Sequence, residues 1–404
     1  MHTRIVLALT SVVAGLSACA DAPVSPPTSV STRVLSKGEA TAADRWMRTT
    51  RAIIGRREFG SPLFVARSFA LVAVAGYNAS VIAGTPVSPP ARRGARPSEA
   101  GAVAGASAAV LRALYPMEDT AITRQLAEDR VYFAQLRSQR GVSFAAGEAT
   151  GAQAAVAVLA RAANDGTNAR WTGTIPVGPG FWLNAPPPAQ PIAPLWGEAK
   201  GWFIRWGKQF RPDAPPALGS VEHTAALAEV KALAAARTPA QLASAQFWQF
   251  ASGPAGPVGH FAEVASDLTI AARYDERRTA RVYAVLQMAI MDASIACWDA
   301  KYTWWTVRPF QVDPSITTPV GRPNFPAYPS AHSCISGAAG NVLSALFPAS
   351  KPLMDAKIAE AGMSRIYAGL HYRFDITAGN EIGADIAALA MQLAPNGRAL
   401  VPLQ

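Results

Sequence analysis

The stretch Pro329-Ser330-Ala331-His332-Ser333-Cys334-Ile335-Ser336-Gly337-Ala338-Ala339-Gly340-Asn341-Val342-Leu343-Ser344-Ala345-Leu346-Phe347-Pro348 decides the fold. Alanine and leucine favour helix, and apolar residues recur every three or four positions, so the stretch predicts a helix over Ser333–Leu346 entered from a Pro-Ser loop. The same frame stands 232 residues earlier. Pro97-Ser98, Gly105-Ala106, Val110-Leu111, Ala113-Leu114 and Tyr115-Pro116 match Pro329-Ser330, Gly337-Ala338, Val342-Leu343, Ala345-Leu346 and Phe347-Pro348 without a gap. The offset also pairs Gly147 and Gly151 with Gly379 and Gly383. At an offset of 214, Ala66-Arg67-x-Phe69-Ala70-Leu71-Val72 and Asn78-Ala79-Ser80-Val81 pair with Ala280-Arg281-x-Tyr283-Ala284-Val285-Leu286 and Asp292-Ala293-Ser294-Ile295. A duplicated helical scaffold accounts for both series.

Helices are further predicted over Ala66–Ala83, Glu99–Leu114, Gly147–Ala163, His223–Ala235, Pro239–Phe250, Arg277–Trp298 and Asn380–Leu393. Strand-like alternation is rare, and proline clusters at Pro86–Pro97, Ala185–Pro194 and Pro309–Pro329 mark loops. The fold class is all-α: two stacked helical bundles, 46–200 and 201–404, joined through the irregular stretch Thr172–Ala199. The 404 residues are 50% hydrophobic and 16% charged, which excludes a disordered chain. The net charge of +10 is scattered rather than concentrated, pointing to attraction of small anions and not to nucleic acid.

The N-terminus reads as a signal sequence, with His2 and Arg4 before the apolar run Ile5–Leu16. Leu16-Ser17-Ala18-Cys19 resembles a bacterial lipobox, so residues 1–18 are expected to be removed, Cys19 lipidated, and 19–45 to form a disordered tether. That gives a lipid-anchored protein of the bacterial cell envelope. No other run is expected to span a bilayer. Cys297 and Cys334 remain in the mature chain, either as a disulfide or as two buried thiols.

Three separated signals in the last quarter carry chemistry: Lys301-x6-Arg308-Pro309, Tyr328-Pro329-Ser330-Ala331-His332-Ser333, and Ser364-Arg365-x5-His371-x3-Asp375. Three cations, two histidines, a serine and a carboxylate are what a tetrahedral oxyanion needs around it. Lys301 and Arg308, seven apart, are expected on one face of a helix that ends before Pro309. Ser330 and the backbone N–H of Ala331 sit where a helix N-terminus offers donors to an anion. Arg365 and His371, six apart, do not share a helix face, so either Gly369 breaks the helix or they approach from different sides. Asp375, one turn beyond His371, is placed to fix its tautomer. Ser364 is a cap or a donor behind the site. At the 232-residue offset the first half has Ala100, Phe133, Gln139 and Ser143 for His332, Arg365, His371 and Asp375, so it keeps the scaffold without the site. His260 and His223 receive plain structural readings, His223 on the surface.

These motifs resemble the vanadium-dependent haloperoxidase family, which shares its anion site with the type 2 phosphatidic acid phosphatases. The pattern is matched except at Ala331, where glycine is usual. Trp298, Phe325-Pro326-Ala327-Tyr328 and the run Ser364–Asp375 resemble its chloroperoxidase branch. The resemblance implies vanadate bonded to His371 and held by Lys301, Arg308, Ser330, Ala331 N–H and Arg365, with phosphate able to take the same place. It implies His332 as acid–base residue, Lys301, His371 and Asp375 as catalytic partners, and Trp298 and Phe325 lining a halide pocket. The expected reaction is oxidation of halide by hydrogen peroxide to hypohalous acid, which passes to a small organic acceptor. Two alternatives use the same residues: an envelope acid phosphatase with His371 as nucleophile, and an inactive anion-binding lipoprotein.

Overall fold

The computed structural model describes residues 40–57, 61–85, 96–136, 139–184, 190–249 and 256–400. The expected signal peptide, Cys19 and most of the tether lie outside them. Leu35–Gln404 forms one compact unit. The first helix, α1 (Ala42–Arg57), already begins inside the stretch expected to be tether.

The duplicated frame is visible element by element. In the first half, α2 (Pro62–Gly84), α3 (Glu99–Leu114), a 3-10 turn (Pro116–Glu118), α4 (Asp119–Ala134) and α5 (Phe144–Ala163) follow in order. In the second, α9 (Glu276–Trp304), α11 (Ala331–Leu346), a 3-10 turn (Pro348–Ser350), α12 (Lys351–Tyr367) and α13 (Arg373–Leu393) repeat it. Between them lie α6 (Val221–Ala235), α7 (Pro239–Phe247), α8 (Gly256–Ala271) and, after α9, the short α10 (Pro309–Val312). Among the described residues the strands form one parallel pair, β1 (Arg96–Pro97) with β2 (Val142–Ser143). The irregular connection between α5 and α6 is longer than expected, with 3-10 turns at Trp196–Glu198 and Gly207–Phe210.

Glycines bring the helices together backbone to backbone, and in both halves at the same places. A Cβ on Gly147 would lie 2.4 Å from Ser98 O, and one on Gly151 2.0 Å from Ala102 O. On Gly379 and Gly383 it would lie 2.7 Å from Ser330 O and 2.8 Å from Cys334 O, the equivalents at the 232-residue offset. Ser98 N–H donates to Ser143 O at 3.0 Å, as Ser330 N–H does to Asp375 O at 2.9 Å. The halves differ where the site residues stand: Phe133, opposite number of Arg365, is buried and stacks on Phe144 at 5.7 Å.

α2 and α9 pack along each other inside one continuous apolar core. Both are long and apolar enough to cross a membrane, contrary to expectation, but 94% of each apolar window is buried in the core, which accounts for its composition. Asn78 of α2 accepts from Leu400 N–H at 2.7 Å, while Asp292 of α9 accepts from the N–H groups of Trp202, Phe203 and Ile204. Burial raises the Asp292 carboxyl to about 6, against those three donors.

Helices α1, α4, α8 and α12 lie outside the predicted set, as does the short α10, which falls in the Pro309–Pro329 stretch expected as loop. In α4 only Ile122, Leu126, Asp129 and Phe133 are buried, and the charged remainder blurs the apolar period. His223, expected on the surface, is buried at 3% exposure, with its ring 5.1 Å from Tyr372 and 6.4 Å from Phe374. Cys297 and Cys334 are both free, buried thiols, and burial pushes the Cys334 thiol well up.

Candidate active site

Lys301 closes the last turn of α9, where Trp305 takes a left-handed conformation (φ 48°) and its N–H donates to Lys301 O at 2.9 Å. The chain then runs extended past Thr306, which bridges to Phe181, and Arg308 becomes the N-cap of α10 at φ −87°, ψ 154°. Lys301 and Arg308 therefore do not share a helix face. The left-handed turn at Trp305 ends α9 four residues before Pro309 does, and the two cations meet through the loop Phe325–Pro329 instead. Lys301 Nζ donates to the carbonyls of Pro326, Ala327 and Pro329 at 2.9, 2.7 and 2.5 Å, using all three ammonium hydrogens. Arg308 Nε and Nη2 donate to Phe325 O at 3.0 and 2.9 Å, and Nη1 to Leu370 O at 3.0 Å.

Gly369 resolves the spacing of the third motif. At φ +71°, with Thr317 O 2.8 Å from where a Cβ would stand, it admits only glycine and stops α12 two residues earlier. Arg365 thus comes from the end of α12, and His371 from the entry to α13. Arg365 Nη2 donates to Ala245 O at 2.6 Å and Nε to Ser364 Oγ at 2.9 Å, which places Ser364 behind the cation. His371 Nδ1 lies 2.8 Å from Asp375 Oδ2, and its Nε2 3.2 Å from Arg308 Nη1. A carboxylate on one side and a guanidinium donor on the other assign the proton to Nδ1, so Nε2 presents its lone pair.

Ser330 is the N-cap of α11, and Ala331 takes its first helical position. Ala331 is not among the residues with positive φ, so a methyl group is accommodated where glycine is usual. His332 Nε2 lies 2.5 Å from Trp248 O, which assigns that nitrogen as the donor. The Trp298 and Phe325 rings stand 5.0 Å apart, with Lys301 Nζ 5.7 and 5.2 Å from their centres. Sequence reasoning missed Ala245, Trp248 and Leu370, because each serves the site through a main-chain carbonyl and carries no side-chain signal.

The electrostatics single this cluster out. Lys301 and Arg308 are 0% exposed and Arg365 1%, so water screens none of them. Burial foremost lowers Lys301 to about 8, Arg308 to about 10 and Arg365 to about 9, with Arg308 contributing to the fall of the other two. Asp375 is the one carboxylate acting on Lys301 and Arg308, and among the described residues none acts on Arg365. Among the described residues three buried cations thus face a single carboxylate, and burial raises even Asp375 to about 7. His371 and His332 are pushed well down by burial, then by Arg308 and Arg365 respectively, so both rings are neutral. This donor set suits a tetrahedral oxyanion. Among the described residues no three His, Cys, Asp or Glu side chains are grouped to hold a bare metal cation. A neighbouring cleft of about 860 Å³, lined by Asp213, Glu222, Tyr328, Phe374 and Glu381, contains none of these cations.

Residues 279–399 match the model of the PAP2 superfamily. Among solved structures, a bacterial vanadium-dependent iodoperoxidase is similar at 24% identity and a TM-score of 0.71, over 87% of this chain and 96% of that one. The holo form of a bacterial vanadium-dependent chloroperoxidase is similar at 15% identity and a TM-score of 0.67, over 89% of this chain and 98% of that one. No curated protein matches the chain. Residues 279–399 are thus similar to the PAP2 superfamily, within a chain that shares its fold with bacterial vanadium-dependent iodo- and chloroperoxidases.

Proposed function

We propose that the protein is a vanadate-dependent haloperoxidase, which oxidises halide with hydrogen peroxide and passes hypohalous acid to a small organic acceptor. The observation that carries this reading is the cluster of three buried cations, Lys301, Arg308 and Arg365, around a neutral His371 whose Nε2 lone pair faces Arg308. Vanadate, when bound there, supplies a Lewis-acidic centre that activates peroxide without changing its oxidation state.

The chain's own residues do the rest. His371 would hold the vanadate through Nε2, and Asp375 holds the Nδ1 proton so that the lone pair stays on that side. Arg308 and Arg365 neutralise the oxyanion, and Ser330 Oγ and Ala331 N–H add donors at the start of α11. His332, donating through Nε2 to Trp248 O, takes up and returns a proton at its other ring nitrogen. Lys301 contributes charge while its hydrogens pin the 326–329 carbonyls. The Trp298–Phe325 pair, 5.7 and 5.2 Å from Lys301 Nζ, would line the halide pocket.

The test is peroxide-dependent bromination and iodination of a dye, with and without orthovanadate, beside hydrolysis of a chromogenic phosphate ester. Vanadate-dependent halogenation lost in His371→Ala supports the proposal. Ester hydrolysis inhibited by vanadate, with no halogenation, moves the protein to the phosphatase reading. We also propose anchorage to the envelope through a lipid on Cys19, which Cys19→Ala would release into the soluble fraction.

A further inference from the structure

The aromatic wall beside Lys301 is held from behind by a segment of the first half. The Ile192 carbonyl accepts from the Trp298 indole at 3.1 Å and from the Tyr302 hydroxyl at 2.6 Å. The same residue's N–H donates to Asn324 O at 3.1 Å, and Asn324 Nδ2 donates to Gln190 O at 2.7 Å. One short segment thus holds Trp298 directly and Phe325 through the residue before it. The next residue, Ala193, has φ +49°, a left-handed conformation that a residue with a Cβ rarely adopts. Such a conformation persists where its surroundings over-determine it, and here four hydrogen bonds converge on the three residues before it.

The loop beyond Asn324 is tied equally firmly on its other side. Phe325 O accepts from Arg308, and Pro326 O and Ala327 O accept from Lys301. The cage cations therefore fix one end of the loop and the first-half segment fixes the other. The mutual placement of the Trp298 and Phe325 rings, in contact at 5.0 Å between centres, is set between these two anchors.

We propose that Gln190–Ala193 is a specificity-determining brace: it sets the spacing of the aromatic wall and thereby which halide the wall admits. Tyr302 is its positioning residue. It touches no reacting atom and acts through the Ile192 carbonyl on Trp298. The halide part of this inference rests on the haloperoxidase reading.

The experiment compares wild type with Tyr302→Phe and Asn324→Ala, each of which removes one hydrogen bond of the brace while leaving the cage side chains in place. Kinetics with iodide and bromide give KM and kcat for each, and a vanadate titration gives its half-saturation. Losing one such bond is expected to change halide KM by about three- to tenfold, unequally for the two halides, with vanadate half-saturation within about twofold. Tryptophan emission supplies a readout free of turnover. The Trp298 contribution, obtained by subtracting spectra of matched Trp298→Phe proteins, is expected to shift to the red in both variants as water reaches the wall. An unchanged iodide-to-bromide KM ratio with an unshifted Trp298 contribution overturns the brace. Equal changes in halide KM and vanadate half-saturation also overturn it, by assigning Tyr302 to the cage. If wild type oxidises no halide, the haloperoxidase reading fails instead, and the emission result alone decides whether the segment positions Trp298.

Discussion

Removing the charge of Lys301 offers a quantitative test of the buried cation cluster. The ammonium is 0% exposed, and burial lowers it from 10.5 to about 8. Between those values the unfolded chain holds a proton that the folded chain has released, so stability rises with pH across the window. One proton over pH 8 to 9.5 corresponds to about 2 kcal/mol, or a Tm rise of about 3 °C for a unit of this size. Arg365 and Arg308, lowered to about 9 and 10, steepen the upper part of the rise, so the comparison is made against Lys301→Met, which retains both. That variant is less stable at every pH, because the carbonyls of Pro326, Ala327 and Pro329 lose their donor. Its slope between pH 8 and 9.5 is nevertheless expected to be shallower by about one proton. Saturating phosphate should flatten the wild-type slope as well, since a bound anion restores the lysine's affinity for its proton. The assay is thermal or urea unfolding at half-unit pH steps, with and without phosphate. Parallel slopes in the two proteins, or a wild-type slope indifferent to phosphate, would refute the charge count.

Three further outcomes follow from the geometry. Asp375→Asn removes the carboxylate 2.8 Å from His371 Nδ1, so vanadate affinity, measured by titration of activity or by calorimetry, should fall about 10- to 100-fold. Gly151→Ala and Gly383→Ala, whose new methyl groups would meet backbone at 2.0 and 2.6 Å, should each destabilise by about 1–3 kcal/mol in urea unfolding, and only the second should also weaken phosphate binding. Gly369→Ala combines a strained φ of +71° with a 2.8 Å approach to Thr317 O, and should lower Tm and weaken phosphate binding together, because it moves Arg365 relative to His371.

The sequence carried the cage and the repeat because both are written in side chains. Cations, histidines and glycines at fixed spacing survive any uncertainty about where a helix ends. The shared face of Lys301 and Arg308 was misjudged because Trp305, a bulky residue, adopts the left-handed turn normally left to glycine. α12 escaped notice although it delivers Arg365, since its exposed face is charged and its buried residues are few. Helices α2 and α9 were expected, but not at membrane-spanning length, because isolated charged residues interrupt runs that the fold nonetheless buries. Ala245, Trp248, Leu370 and Ile192 were invisible for a different reason: any residue type has a carbonyl, so no pattern of residue types marks where one is used.

A chain that carries one frame twice also carries its own reference. The first half meets the same demands of helix entry, glycine contact and aromatic-Pro closure, yet stacks Phe133 on Phe144 where the second half keeps Arg365. Comparing equivalent substitutions in the two halves therefore separates what the architecture requires from what the chemistry requires, within one molecule and one experiment. Loss of stability common to both copies measures the frame, and the excess in the second copy measures the strain of a site left open for an anion.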